Sequence, residues 1–339
     1  MKALFIAFLL ITSSSSLYSQ QEIDSLINLA ATFEENENFD EAVIICKKAL
    51  QIDSNSSVVN YKLAMLLFKQ RYIQTSLKYF DKVIQNNKDL ALEAYISKGI
   101  CLDETGNTEK SIDLFVEAIN KFGPNHLLYY NLGLNYYKIK KYDDAIDALV
   151  KSIQVKPSYS SSHLTLGLIM KELDCRTQSI LCFHYFLFLE PNTEMSKTVL
   201  NLLVQQYNGI KVKKRSRRID VYISDEYTRN IDTTFGNIDL QFIIFFGFDI
   251  AIDKTHSDEE LFVSNTNFLF NLLINNEQEH KPGLWWDFYV PFFSKIAKSE
   301  FAETYGYSVL VSLSDKAKEW IQNNILKYSD YINWINEEL

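Results

Sequence analysis

The feature that most constrains the fold is a set of small residues recurring at a nearly constant interval. The first series, with steps of 34, 35, 34 and 34 residues, comprises Ala30, Ala64, Gly99, Gly133 and Gly167. A second series has the same four steps and follows the first by twelve residues: Ala42, Ser76, Ser111, Ala145 and Ser179. Two parallel series with one shared irregularity indicate five copies of one structural unit.

The fourth copy, YYNLGLNYYKIKKYDDAIDALVKSIQVKP (129–157), best shows the nature of this unit. A first helix is marked by Tyr129, Leu132, Gly133 and Tyr136, a second by Ala145 and Leu149, and Pro157 ends the copy. The pattern resembles the tetratricopeptide repeat, in which an aromatic residue precedes Leu-Gly, Tyr, Ala, Phe and Pro. The copies depart from it in places, with Lys98 at an expected leucine and Lys88 at an expected proline.

The resemblance implies stacked helical hairpins with a concave side. Small residues let the two helices of a hairpin approach closely, and stacking buries an apolar face that one hairpin cannot bury alone. The chain has only 10 glycines and 5 prolines, and no run of alternating apolar residues, which also favours helices. We therefore predict an all-α protein, a tetratricopeptide-type solenoid of helical hairpins followed by a smaller helical domain.

In the family that the chain resembles, the first helix of each hairpin lines the concave groove. Residues spaced i, i+4, i+7 share a helix face, and this spacing gives the expected groove residues Tyr61, Met65, Phe68, Ile96, Ile100, Tyr130, Leu134, Tyr137, Leu164 and Leu168. The first hairpin is more polar there. The pattern predicts binding of an apolar peptide or helix of a protein partner. The alternative is that the chain's own C-terminal part fills the groove. Some relatives clamp a C-terminal carboxylate with Lys, Arg and Asn at groove positions, which are apolar here.

The N-terminus has the pattern of a secretory signal peptide. Lys2 is followed by the apolar run ALFIAFLLI (3–11) and the small polar segment TSSSSLYS. The run is shorter than the about 20 residues that span a bilayer. We expect cleavage near Ser19–Gln20 and an exported, periplasmic or secreted protein, and the Ser-Gln ending resembles exported proteins of Gram-negative bacteria. A buried N-terminal helix is the alternative.

The repeats are expected to end near Asn192. A capping helix (195–207) and a basic linker complete residues 193–222, after the signal peptide (1–19) and the repeats (20–192), and a helical domain occupies 223–339. The linker carries Lys211, Lys213, Lys214, Arg215, Arg217 and Arg218. Such a tract is either solvated or makes a weak contact with an anionic membrane surface, an acidic partner or a charge in the next domain.

The C-terminal region contains the aromatic stretch GLWWDFYVPFF (283–293). Its apolar residues lie all round a helical wheel, which is typical of a buried helix, and Pro291 would kink this helix or start its second half. We expect it at the centre of the domain rather than as an exposed ligand platform. Ser257 and Glu260 predict a capping box before another helix. An enzyme or ligand-binding site in this region is the alternative to a scaffold. Its polar candidates are Asp249, His256, His280 and Asp287.

No motif of a catalytic or cofactor-binding site occurs: there is no HExxH, GxSxG or phosphate-binding glycine loop. We therefore expect a non-catalytic protein without cofactor or metal. A net charge of −9 disfavours general nucleic-acid binding. The four cysteines are expected to be buried small hydrophobes. Cys182 and His184 point apart on a helix and cannot share one metal ion.

Overall fold

A computed structural model describes residues 2–86, 90–208, 211–215, 218–222, 235–252, 257–277 and 281–338. Within these ranges the chain is almost entirely helical, so the predicted all-α class is confirmed. No helix in them is both long and apolar enough to cross a membrane. The N-terminal apolar run lies in the first helix, and its role as a signal peptide stays a prediction.

The five predicted helix pairs are present. The first four are α1 (Lys2–Glu35) with α2 (Phe39–Ile52), α3 (Ser57–Lys69) with α4 (Ile73–Asn86), α5 (Ala91–Glu104) with α6 (Thr108–Phe122), and α7 (His126–Lys138) with α8 (Tyr142–Val155). The fifth is α9 (Ser160–Glu172) with α10 (Arg176–Leu189), and α11 (Glu194–Asn208) follows as the predicted extra helix.

All ten residues of the two small-residue series are buried. In three hairpins a serine on the second helix donates a hydrogen bond to the carbonyl twelve residues earlier, on the first. Ser76 Oγ lies 2.7 Å from Ala64 O, Ser111 Oγ 2.7 Å from Gly99 O, and Ser179 Oγ 3.0 Å from Gly167 O. Each serine thus satisfies its hydroxyl group within the dry contact between the two helices.

At two positions of the first series, glycine leaves room for a ring on the second helix. A Cβ at Gly99 would lie 2.3 Å from Phe115 Cζ, and one at Gly167 would lie 2.7 Å from Phe183 Cε1. Both rings are fully buried. The glycines therefore set the close approach of α5 to α6 and of α9 to α10.

The turn inside each hairpin contains one residue with positive φ. These residues repeat with the same steps as the small-residue series: Glu37 (60°), Arg71 (64°), Gly106 (80°), Lys140 (60°) and Asp174 (59°). Only one of the five is glycine, so four turns keep a side chain in a left-handed conformation that costs about 1 to 2 kcal/mol.

The chain divides into two compact units, Met1–Ala148 and Leu149–Leu339, and the division falls inside α8. The predicted domain boundaries at 192 and 222 stay predictions. In the first unit, one buried cluster joins α1, α2 and α3 through residues such as Ala42, Ala49 and Leu63. A second, built around Phe80 and Val83, continues this core into α5.

The second unit contains α9, α10 and α11, a β-ribbon and the C-terminal helices. These helices are α12 (Gly236–Ile252), α13 (Asp258–Asn275), a π-helix (Trp285–Tyr289), α14 (Val290–Lys298), α15 (Ala302–Leu310), α16 (Asp315–Asn323) and α17 (Ile325–Glu338). The predicted capping box opens α13: Ser257 N donates to Glu260 Oε2 at 2.8 Å, and Glu260 N donates to Ser257 Oγ at 3.3 Å.

The aromatic stretch is part of the core of the second unit, as predicted. Trp286, Tyr289 and Phe293 are buried, whereas Phe288 and Phe292 on another side are partly exposed and pack against the Tyr185 ring. The stretch is a π-helix up to Tyr289, and the α-helix with Pro291 in its first turn begins at Val290. Proline has no N–H and would clash with the carbonyl four residues earlier in a regular α-helix. The wider π-helical turn before Pro291 makes room for the proline ring without an unpaired helical hydrogen bond.

The basic tract contains two short β-strands. Lys211–Arg215 (β1) and Arg218–Tyr222 (β2) form a two-stranded antiparallel ribbon in which Lys213 pairs with Asp220. The ribbon contacts α12. Of the predicted basic residues, Arg217 lies outside the described residues.

Candidate functional site

The first helices of hairpins two to four form one continuous face of the first unit, because α3 contacts α5 and α5 contacts α7. The predicted groove residues on these helices are all partly exposed, neither buried nor fully solvated: Tyr61, Met65, Phe68, Ile96, Ile100, Tyr130, Leu134 and Tyr137. We call these eight residues the apolar face. Leu164 and Leu168, in the second unit, are also partly exposed. The binding role of all ten stays a prediction.

Side chains of the apolar face are held from behind by the core. The Tyr61 ring meets the buried Phe80 ring edge-on at 5.9 Å, and the Tyr61 hydroxyl bonds to Ser97 Oγ on the next first helix at 2.9 Å. Met65 and Phe68 pack against the same buried cluster. These contacts fix the rotamers of the outward-facing groups, so less side-chain entropy is lost when a partner binds.

Ion pairs connect successive first helices of the first unit. Glu34 on α1 pairs with Lys62 and Lys69 on α3, and Asp103 on α5 pairs with Lys138 on α7 at 3.0 Å. Burial alone would raise the pKa of Glu34, but its hydrogen bonds with the two lysines lower it. These lysines are therefore engaged within the protein.

A buried polar chain in the second unit links hairpin five to the aromatic stretch. His163 Nε2 lies 2.7 Å from Pro157 O and must donate to it, since a carbonyl only accepts. His163 Nδ1 therefore accepts from the Tyr289 hydroxyl at 2.7 Å, and Cys182 Sγ donates to the same hydroxyl at 3.4 Å. Burial lowers the pKa of His163 to about 4, so the ring is neutral near pH 7.

His184 forms a second buried centre. Its Nε2 lies 2.7 Å from the Tyr207 hydroxyl and its Nδ1 3.0 Å from the Tyr305 hydroxyl. Tyr207 also bonds to Thr266 Oγ1 at 3.1 Å. Burial lowers the pKa of His184 to about 3 and raises the pKa values of both tyrosines. Both histidines are thus hydrogen-bonding centres of the core, without access for a substrate.

No sequence pattern predicts these two centres. Within the described ranges, no three His, Cys, Asp or Glu side chains come together as a metal site would require. The four cysteines are free thiols. Cys46, Cys101 and Cys182 are buried as predicted, whereas Cys175 is partly exposed.

The residues of the alternative enzyme site are not brought together by any described geometry. Asp287 Oδ2 accepts a bond from Gly283 N at 2.7 Å, across the first turn of the π-helix. His256, His280 and the side chain of Asp249 lie outside the described residues. The enzyme alternative stays a prediction.

Comparison with known proteins identifies the repeats. The tetratricopeptide-repeat family models match residues 23–56 and 126–159. A BBSome complex member BBS4 homolog of Drosophila melanogaster is 20% identical over 45% of this chain and 32% of its own length. A TPR repeat-containing protein of Methanocaldococcus jannaschii is 30% identical over 33% of this chain and 19% of its own length. The match thus spans less than a third of each of these relatives.

Among solved structures, MamA from Desulfovibrio magneticus is similar over 50% of this chain and 95% of its own, with 20% identity and a TM-score of 0.43. The two family-model matches coincide with α1–α2 and α7–α8, hairpins that the spacing of small residues had already indicated. The chain therefore contains tetratricopeptide repeats, a type of repeat that mediates protein–protein interaction.

Proposed function

We propose that this chain is an exported, non-catalytic scaffold that binds an apolar peptide or helix of a protein partner on the first helices of its repeats. The observation that carries the proposal is the apolar face: eight large side chains on three contacting helices, each mostly covered by the protein and partly exposed. A contiguous apolar surface of this kind is unusual on a monomer unless it is an interaction site.

The charges next to the apolar face favour an apolar ligand over a charged one. Lys62, Lys69 and Lys138 are paired with acids of neighbouring first helices. A terminal carboxylate of a partner would have to displace those pairs, whereas an apolar side chain would not. Affinity would then come from burial of aromatic rings such as Tyr130 and Tyr137.

The experiment is quantitative capture followed by affinity measurement. The purified chain is cross-linked to an envelope fraction, captured proteins are quantified by mass spectrometry, and the cross-linked segment is titrated as a peptide. Tyr130→Ala with Tyr137→Ala removes two rings of the apolar face and should weaken binding about a hundredfold. The melting temperature should change little because both side chains are partly exposed.

A matched control is Tyr72→Ala with Ile44→Ala, which removes apolar side chains that are 60% and 52% exposed and not part of the apolar face. The control should bind as the wild type does. Equal binding by the apolar-face variant would refute the proposal, and unfolding of that variant would assign its tyrosines to the core.

A weak contact of the basic ribbon with an anionic membrane surface is a separate part of the proposal. It rests on six basic residues in the eight from Lys211 to Arg218 and on the attraction of such tracts to anionic lipid. Sedimentation with phosphatidylserine vesicles should decline as salt rises. Binding that ignores salt and lipid charge would exclude this contact.

A further inference from the structure

The second unit contains a cavity of about 350 Å³ between α11, α13 and the segment that joins α15 to α16. Its walls combine two kinds of surface. Val204, Phe262 and Leu310 are apolar, whereas Asn201, Glu259 and Asn265 are polar. Small-molecule sites have this volume and this mixture of an apolar wall with a few convergent polar groups.

Asn265 has a buried side-chain oxygen without a hydrogen-bond partner among the described residues. The residue is 5% exposed, and the atom concerned is Oδ1. Buried carboxamides are almost always hydrogen-bonded, so an unsatisfied carboxamide oxygen in the wall of a cavity is unusual. Because a half-turn of the carboxamide exchanges its oxygen and nitrogen, Asn265 can offer either a donor or an acceptor to the cavity.

Glu259 adds a partly satisfied negative charge. Its Oε1 accepts a bond from Ser314 Oγ at 2.8 Å. Its Oε2 is buried without a hydrogen bond in the described structure, and it forms a 3.6 Å ion pair with Lys316 Nζ, on a side chain that is 70% exposed. Burial would raise the pKa of Glu259, but hydrogen bonds from the backbone, Ser314 and Ser257 lower it, so the group is a carboxylate near pH 7.

We propose that this cavity binds a small primary amine with an apolar body. The ammonium group would donate to the Glu259 carboxylate and to the Asn265 carboxamide oxygen when it is turned towards the cavity, and the apolar body would lie against Val204, Phe262 and Leu310. An anion would be repelled by Glu259 and its neighbour Asp258. A neutral ligand would not gain the charge attraction that the Glu259 carboxylate offers to a cation. This site is independent of the apolar face and of the proposed scaffold function.

The test is calorimetric titration of the full chain with three probes of similar size and different charge: 2-phenylethylamine, 2-phenylethanol and 3-phenylpropionate. We expect saturable binding of the amine, binding of the alcohol weaker by about tenfold, and no binding of the carboxylate. Amine binding no tighter than alcohol binding, or an amine titration without saturation, would overturn the proposal.

Three variants locate the site. Glu259→Gln removes the charge with little change of shape and should weaken amine binding by about tenfold. Val204→Phe fills the cavity and leaves the carboxylate in place, so it should reduce the binding of amine and alcohol alike. Glu319→Gln removes an exposed acid on α16 outside the cavity and should bind as the wild type does.

Far-UV circular dichroism shows whether each variant is folded. If Glu259→Gln does not fold, Val204→Phe alone decides the matter. Amine binding that survives in every folded cavity variant would place the probe elsewhere and refute the site.

Discussion

Replacement of Gly99 by alanine tests the close approach of helices on which the repeat geometry depends. Alanine is a better helix former than glycine by about 1 kcal/mol, so propensity alone would stabilise α5. The added Cβ, however, would lie 2.3 Å from Phe115 Cζ and 2.4 Å from Cε1. Carbon atoms in contact are separated by about 3.5 to 4.0 Å. The ring is fully buried and cannot move into solvent, so the added Cβ must displace the ring within the core or move α5 away from α6.

Overpacking of this size costs about 3 kcal/mol or slightly more. After subtraction of the propensity gain, Gly99→Ala should lower the free energy of unfolding by about 2 kcal/mol. Urea denaturation followed by far-UV circular dichroism measures this change. Phe115→Leu alone should also destabilise, because it leaves a cavity, but it should cost less in the Gly99→Ala background than in the wild type.

Gly106→Ala is the matched control. A Cβ at Gly106 meets nothing within 4 Å, but its φ of +80° is unfavourable for alanine. This variant should also be destabilised, by about 1 kcal/mol. Phe115→Leu, however, should destabilise it as much as it destabilises the wild type. A Gly99→Ala protein as stable as the wild type, or one that Phe115→Leu destabilises as much as it does the wild type, would refute the steric argument.

Three further predictions follow from other features. The folded pKa values of His163 and His184, about 4 and about 3, lie below the unfolded value near 6.5, so the unfolded chain binds more protons as pH falls. Their contribution to stability, complete above pH 6.5, should therefore fall by about 2 kcal/mol per histidine by pH 5, measurable by denaturation at several pH values. Lys140→Gly should stabilise the fourth hairpin by about 0.5 kcal/mol, measured by a thermal melt. Glycine removes the strain of a side chain at positive φ, and this gain exceeds the entropy cost of a more flexible unfolded chain. Mass spectrometry of protein recovered from an envelope fraction should find a new N-terminus near Gln20.

Each of these three has an outcome that contradicts it. A stability that is constant between pH 7 and pH 5 would mean that the two rings are not buried as neutral groups. A Lys140→Gly protein that melts below the wild type would mean that its side chain contributes more than the turn strain costs. An intact N-terminus on protein from the envelope fraction would exclude cleavage of a signal peptide.

The hairpins could be predicted because their geometry depends on residues that recur at a fixed interval. Ser111 and Gly99 are twelve residues apart and meet across one hairpin, so a local pattern carries the information. The left-handed turns repeat just as regularly, but Arg71 and Lys140 are not glycines and gave no signal. The residues that share the apolar face could be predicted for the same reason, since helical spacing fixes which side chains lie on one face.

The buried histidine centres could not be predicted, because their partners are remote in the chain. His163 and Tyr289 are 126 residues apart and share no sequence pattern. The ribbon was missed for a different reason. Its β-branched residues, Val212, Ile219 and Val221, are interspersed with six basic side chains, and the charge density suggested a solvated segment. The cavity near Glu259 depends on how three separate segments pack, and the spacing of residues in the sequence does not predict that packing.

Helix α10 has a consequence for how this protein can be divided and recombined. Every residue from Thr177 to Leu187 is buried, and the buried Asp239 carboxylate of α12 accepts bonds from the Thr177 amide and hydroxyl at 3.1 and 2.5 Å. The second helix of the last repeat is thus a central helix of the second unit. A chimera that keeps only residues up to Asn192 would expose the apolar surface of α10 and should precipitate. Exchange of whole hairpins among the earlier repeats should instead give soluble proteins.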